Sequence, residues 1–287
     1  MCWQPMAAGD SHRVLHRPAL FSVICLSLPF LKPFCEQITG NYVEPFAGSA
    51  CLFFDMEPEG AILGDLNREL MCAMRAIRRD VYRVLECLRR LPRGKAAYYR
   101  IRAMKPDELS EPEIAARFLY LNRYCFNGLY RTNLAGGFNV PYGPPKKSSP
   151  HPEVDEDLIV SASRLLRRAL LVNGDFEETL RHVEPGDFVY LDPPYATDEA
   201  RVFREYVPGS FSTHDLARLS DALSRLDQIG AEFLISYCDS AEAEALLRKW
   251  NPVRIPTRRN IAGFVGHRRI AHELIATNSR KVVANAK

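Results

Sequence analysis

Apolar residues in this chain fall into short unbroken runs separated by longer stretches of helical spacing. Residues 41–44 form an extended run stopped by Pro45, and a Gly48-Ser49 turn leads into the apolar segment 50–56, an order that reads as strand, turn, helix. Residues 61–65 are a second short strand ending in an acid. An arginine-studded helix is predicted over 67–90, because Leu70, Met74, Ile77, Val81, Val84, Leu85 and Leu88 recur at helical spacing. Leu91-Pro92-Arg93-Gly94 breaks it. Helices over 112–124 and 153–168 flank a segment, 122–147, rich in Asn, Gly, aromatics and cations. Such a composition predicts a hairpin and loops that contact something. Further strands are expected at 169–172, 188–191, 232–237, 253–256 and 272–276, with helices at 213–226 and 241–250. Strands alternating with helices predict an α/β fold, its mostly parallel sheet covered on both faces. Residues 92–168 read as an insertion between the second and third strands.

Composition narrows the class without naming a function. With 287 residues, 47% hydrophobic and 25% charged, 16 glycines and 20 prolines, the chain is neither disordered, collagen-like nor a disulfide scaffold. The net charge of +3 is uninformative, but its distribution is uneven. Residues 71–105 hold eleven Lys or Arg against Asp80 and Glu86, and residues 254–269 hold five arginines and no acid. Either these stretches face a polyanion or they are solvated helix surface. The eight cysteines show no metal-ligand spacing, so no metal is expected and they read as reduced thiols of a cytoplasmic protein. The uncharged run 19–31 imitates a signal peptide. It is too short for a membrane span, contains Pro29 and lacks a cleavage site, so it reads as a buried or poorly ordered segment.

Four predicted strands end in polar residues: Glu44, Asp65, Asp175 and Asp192. Any one of them is an ordinary turn or helix cap. Together they mark the carboxyl edge of an open α/β sheet, where ligands bind. In Glu44-Pro45-Phe46-Ala47-Gly48-Ser49 a single glycine lets the backbone approach a ligand, where a dinucleotide site would want three. A nucleoside without phosphates fits better. S-adenosylmethionine suits the set, with Glu44 near its cationic end, Asp65 at ribose hydroxyls, and Asp175 and Phe176 at its adenine. Asp192-Pro193-Pro194-Tyr195 is the strongest signal. An exocyclic amino nitrogen is a poor nucleophile because its lone pair is delocalised into the ring. The Asp192 carboxylate and the Pro193 carbonyl can grip its two N–H bonds, Tyr195 can stack on the base, and the prolines stiffen the turn.

At these residues the sequence resembles the Dam-like, α-group family of DNA adenine-N6 methyltransferases. YVEPFAGSACLFF (42–54) looks like its cofactor motif, LGDLN (63–67) like its second strand, and YLDPPY (190–195) like its catalytic motif. LNRYCFNGLYRTN with GGFNVPYG (121–143) looks like the start of its recognition region. The resemblance implies a seven-stranded, Rossmann-like S-adenosylmethionine-dependent methyltransferase sheet with an inserted, mainly helical target-recognition domain. The expected division is a divergent segment at 1–35, a catalytic domain at 36–91 and 169–287, and the DNA-binding insertion at 92–168. By position, Phe46, Gly48, Asp65, Asp175 and Phe176 would hold the cofactor, and Asp192, Pro193 and Tyr195 the target adenine. Asn127, Leu129, Arg131 and Asn133 would lie at double-stranded DNA.

The base would be flipped out of the duplex, with Phe126 as the wedge that fills its place. Flanking phosphates would meet Arg123, Arg131, Lys146 and Lys147, or Arg131 would instead read a guanine. No membrane or metal is implied. The family suggests a monomer, and a cognate restriction enzyme is one context for it. One departure stands out: the family's Trp-Ala-Gly-Gly-Lys-like start is missing, with no double glycine and lysine before Gly40. Two alternatives therefore stay open, an RNA adenine methyltransferase and a catalytically impaired DNA-binding homologue.

Overall fold

The computed structural model describes residues 38–133, 136–143, 155–194, 211–258 and 270–279. The strands are β1 Tyr42–Glu44, β2 Ala61–Asp65, β3 Ala169–Asn173, β4 Phe188–Leu191, β5 Glu232–Cys238, β6 Val253–Arg258 and β7 Ile270–Thr277. They form one seven-stranded sheet in the order β3-β2-β1-β4-β5-β7-β6. β1 to β5 run parallel, and β7 lies antiparallel between β5 and β6. The mixed α/β class and mostly parallel sheet expected from the alternation are present.

The pleat explains why the central strands read as unbroken apolar runs. Tyr42, Leu63, Phe188, Tyr190 and Leu234 enter a core on one face, while Val43, Ile62, Val189, Leu191, Phe233 and Ile235 enter a second core on the other. Each such side chain, fully buried, stabilises by about 1.5–3 kcal/mol. The centre of the sheet is therefore its firmest part.

The helices are α1 Cys51–Met56, α2 Arg68–Arg79, α3 Val81–Arg90, α4 Lys95–Ala103, α5 Glu111–Tyr124, α6 Glu156–Leu166, α7 Phe176–Leu180, α8 Thr213–Ile229 and α9 Ala241–Leu247. The single helix expected over 67–90 is two helices. Asp80, at φ −153°, ends α2, and its carboxylate accepts the Arg83 amide at 3.0 Å to start α3. The apolar spacing conceals this because both helices use the same first core. α4 was not anticipated; it starts after Gly94, whose φ of +103° no β-carbon-bearing residue adopts easily. Ala115, Phe118 and Leu119 of α5 and Ile159 and Leu166 of α6 join the first core. Tyr98, Ile101, Tyr120, Leu121, Cys125, Phe138 and Val140 form a third, smaller cluster.

Part of the basic stretch 71–105 is paired within the chain. Arg79 pairs with Glu111 at 2.7 Å, Arg83 and Arg90 pair with Glu86, Arg89 pairs with Glu156, and Arg78 donates to the Ala169 carbonyl at 2.9 Å. Two of those acids come from α5 and α6, which a window along the sequence does not see. Only part of the stretch, including Arg75, Arg102 and Lys105, lines the cleft described below. In the second basic stretch, Arg254 pairs with Asp239 and Glu244, and residues 259–269 lie outside the described residues.

Candidate active site

The chain leaves β1 toward β2 and leaves β4 toward β5, so a crevice opens at the carboxyl ends of the adjacent strands β1 and β4. A cleft of about 1370 Å³ occupies it. Its sheet side is lined by Pro45, Phe46, Gly48, Asp65, Asp175, Phe176, Asp192 and Pro194. Its other side comes from α4, α5 and the loops that follow α5, with Tyr99, Arg102, Arg117, Phe118, Tyr130, Asn133 and Phe138.

Asp65 ties together the loops after β1 and β2. Its Oδ2 accepts the Gly48 amide at 2.8 Å, and its Oδ1 accepts the Asn67 amide at 2.7 Å. Burial raises the Asp65 pKa, while the amides of Asn67 and Gly48 draw it back down. Gly48 has φ +47°, and a β-carbon there would meet nothing within 4 Å, so the turn faces open space. Beneath it, Gly64 admits α7 against β2: a β-carbon at Gly64 would lie 1.8 Å from Thr179 Oγ1.

Glu44 ends β1. It is 4% exposed, beneath the cleft floor rather than in its wall, because β1 is central and residue 44 follows Tyr42 into the sheet interior. Burial, with the nearby charges of Asp192 and Asp65, raises its pKa well above the ordinary carboxylate value. Its Oε2 has no hydrogen-bond partner among the described residues.

Asp175 caps α7 by accepting the Glu177 amide at 3.0 Å. Arg218 of α8 grips the same carboxylate, with Nη2 2.5 Å from Oδ1 and Nη1 3.3 Å from Oδ2, and lies 4.8 Å over the Phe176 ring. Phe176 in turn stacks on Phe46, with ring centroids 5.2 Å apart. Asp192 follows β4, and its Oδ1 accepts a hydrogen bond from Ser236 of β5 at 3.2 Å. The Tyr190 hydroxyl lies 3.2 Å from the same Ser236 oxygen. Pro193 is buried, Pro194 faces the cleft, and Tyr195 lies outside the described residues.

Opposite, Cys125 bridges Tyr142 and Thr132 bridges Phe138, closing the expected hairpin. Phe126 and Leu129 are 42% and 49% exposed, whereas Arg123 is half-buried in the last turn of α5. Asn127 lies in a short 3-10 turn, Phe126–Gly128. Arg131 Nε donates to Asn139 Oδ1 at 2.9 Å, and Asn133 Oδ1 accepts the Gly137 amide at 2.9 Å. The Tyr130 hydroxyl reaches Asn67 Oδ1 at 3.4 Å. Lys146 and Lys147 lie outside the described residues.

Residues 28–261 match the family of D12 class N6 adenine-specific DNA methyltransferases. The chain belongs to this family. It is 34% identical over 260 residues to the type II methyltransferase M1.LlaDCHI of Lactococcus lactis subsp. cremoris, covering 88% of this chain and 90% of that one. It is 33% identical over 214 residues to the type II methyltransferase M.MjaIII of Methanocaldococcus jannaschii, covering 68% and 73%. It is 30% identical over 250 residues to the DNA adenine methylase of Escherichia coli K12, covering 85% and 88%.

This D12 methyltransferase is therefore adenine-specific, and the family implies a DNA substrate and S-adenosylmethionine as methyl donor. The residues present fit that donor: a turn open above Gly48, an aromatic wall at Phe46 and Phe176, and an orphaned carboxylate oxygen on Glu44 beneath. No helix among the described residues is long and apolar enough to cross a membrane.

Sequence reasoning missed Arg218, Ser236, Tyr190 and the contact between Tyr130 and Asn67. Ser236 had a local signal, as a lone hydroxyl in the otherwise apolar start of FLISYC. Arg218 had none, because it lies 43 residues from Asp175.

Proposed function

We propose that this enzyme methylates the N6 amino group of an adenine flipped out of duplex DNA, at a specific site. On this reading the sheet is the Rossmann-like methyltransferase core (36–91 and 169–287), and 92–168 is the inserted, mainly helical target-recognition domain. The cofactor would be held by Pro45, Phe46 and Gly48 along one turn, by Asp65 at its ribose, and by Asp175 and Phe176 at its adenine. Among the described residues Asp175 Oδ2 accepts from Arg218 alone, which leaves it acceptor capacity for an amino group. Bound there, S-adenosylmethionine would supply an electrophilic methyl group, carried on its sulfonium, for the target nitrogen.

The chain's own part is positioning. Asp192 and the Pro193 carbonyl accept the two N–H bonds of the target amino group, with Tyr195 against the base, so the nitrogen lone pair is offered rather than delocalised. Flipping costs a few kcal/mol, which the exposed Phe126, placed as a wedge, offsets. Arg123, Asn127, Leu129, Arg131, Asn133, Lys146 and Lys147 would meet the DNA around it.

The observation that carries the reading is Asp192 in the cleft wall at the β1/β4 switch point, in the same cleft as Asp65. The test is transfer of labelled methyl to unmethylated duplex DNA, with the product base identified by mass spectrometry. N6-methyladenine is expected, and Asp192→Ala should lower kcat by about 10²–10³-fold while cofactor binding stays nearly unchanged. Methyl transfer to RNA alone, or full turnover by the variant, would overturn the reading.

A further inference from the structure

We infer that Ser236, backed by Tyr190, is a positioning residue that sets the orientation of the Asp192 carboxylate. The inference rests on the reading of Asp192 as an acceptor for the target amino group. The two prolines after Asp192 stiffen the backbone of the turn, but they do nothing for the terminal torsion of the aspartate side chain, which is broad and soft. Something else must fix the plane of the carboxylate.

Strand register supplies it. Leu191 of β4 lies beside Ile235 of β5, and one further step along both strands brings Asp192 beside Ser236. Side chains alternate, so Tyr190 and Asp192 project to the same side as Leu234 and Ser236. The Ser236 hydroxyl has one proton, and the geometry gives it to Asp192 Oδ1. In the contact between Tyr190 and Ser236 the tyrosine hydroxyl is then the donor. The protons point one way, from Tyr190 to Ser236 to Asp192.

Tyr190 and Ser236 are each 3% exposed, so water competes little for the contact between them, while Asp192 at the end of the chain is exposed in the cleft; bonds in such a chain polarise one another. A serine buried in an apolar strand is costly unless its oxygen is fully used, and here it both donates and accepts. With Oδ1 held, the plane of the carboxylate is fixed for accepting from the amino group.

The test compares Ser236→Ala, Ser236→Thr, Tyr190→Phe, the double variant Ser236→Ala with Tyr190→Phe, and Asp192→Asn. Steady-state methyl transfer is measured for each, and cofactor Kd by calorimetry. Ser236→Ala should lower kcat roughly 10- to 100-fold, the loss expected for a bond to a charged group. Its cofactor Kd should stay within about twofold. Ser236→Thr, which keeps the hydroxyl, should recover most of the rate. Tyr190→Phe should lower kcat a few-fold, roughly, and should have no effect once Ser236 is alanine.

Wild-type kcat in Ser236→Ala, or an undiminished Tyr190→Phe effect in the double variant, overturns the inference. If Ser236→Ala does not fold, Tyr190→Phe carries the test, and a wild-type kcat there overturns it. Turnover retained by Asp192→Asn would instead sink the reading of the site itself. An inactive Asp192→Asn beside a fully active Ser236→Ala sinks only the role of Ser236.

Discussion

The two walls of the cleft are built by different means. On the sheet wall, each carboxylate is held before any ligand arrives: Asp65 by two amides, Asp175 by an amide and Arg218, Asp192 by Ser236. These groups stand at the ends of strands or next to them, over cores on both faces. On the facing wall, the hairpin between Cys125 and Tyr142 is closed by two isolated bridges and leaves Phe126, Leu129 and Tyr130 exposed. The first arrangement suits chemistry that needs fixed acceptors. The second suits recognition, because loop side chains can change without disturbing the scaffold.

Arg117 joins the walls, so removing it should have the largest effect. Its guanidinium is 3% exposed, pairs with Glu69 of α2 at 2.6 Å, and donates to the carbonyls of Ile101 and Arg102 at the end of α4. Arg117→Ala would leave Glu69 and those carbonyls without their partner. Breaking a buried pair in this way costs about 3–5 kcal/mol. Urea unfolding should show that loss, and a shift below about 1 kcal/mol would mean the walls do not depend on this link.

The same contrast explains what the sequence revealed. Strand ends at Glu44, Asp65 and Leu191 were legible because unbroken apolar runs stop there, and each stop carried an acid or led to one. Gly48 and Asp192-Pro193-Pro194 announced tight turns through residues with restricted or unusual backbones. What was hidden is long-range. Arg218 reaches Asp175 from α8, Glu156 neutralises Arg89 from α6, and Ser236 meets Asp192 across a strand pair. Ser236 stood out as a lone hydroxyl in an apolar strand, but nothing local named its partner, and Arg218 and Glu156 had no such mark. Asp80, which splits one expected helix in two, had a signature in its capping chemistry that the shared apolar face outweighed.

The hairpin wall is sharpened by Arg131→Ala. Its Nε is anchored on Asn139, which leaves the terminal guanidinium nitrogens without a partner among the described residues. If that fork reads a guanine, the variant should lose about 1–3 kcal/mol of discrimination at one base pair. Its unfolding free energy should stay within about 0.5 kcal/mol of wild type. Sequencing of methylated sites checks this. An unchanged site profile with a salt slope reduced by about one would assign Arg131 to a phosphate instead.

The subtlest test concerns the sheet wall, through Glu44. Burial and the charges of Asp192 and Asp65 raise its pKa from 4.5, so the folded state keeps a proton that the unfolded chain releases. Because the folded state then binds more protons, stability falls as pH rises above the ordinary carboxylate range and through the raised value. Glu44→Gln has no proton to lose. Below the ordinary range the two proteins should unfold at similar urea concentrations. With rising pH the wild type should weaken relative to the variant, until Glu44 is ionised in the fold as well. Parallel profiles would mean that Glu44 ionises in the folded protein as easily as in the unfolded chain, and the sheet wall would then lack the water-excluded floor that sets it apart from the hairpin. A gap that narrows when S-adenosylmethionine is added would place the cofactor's positive charge within reach of this carboxylate, since a nearby cation favours the ionised form.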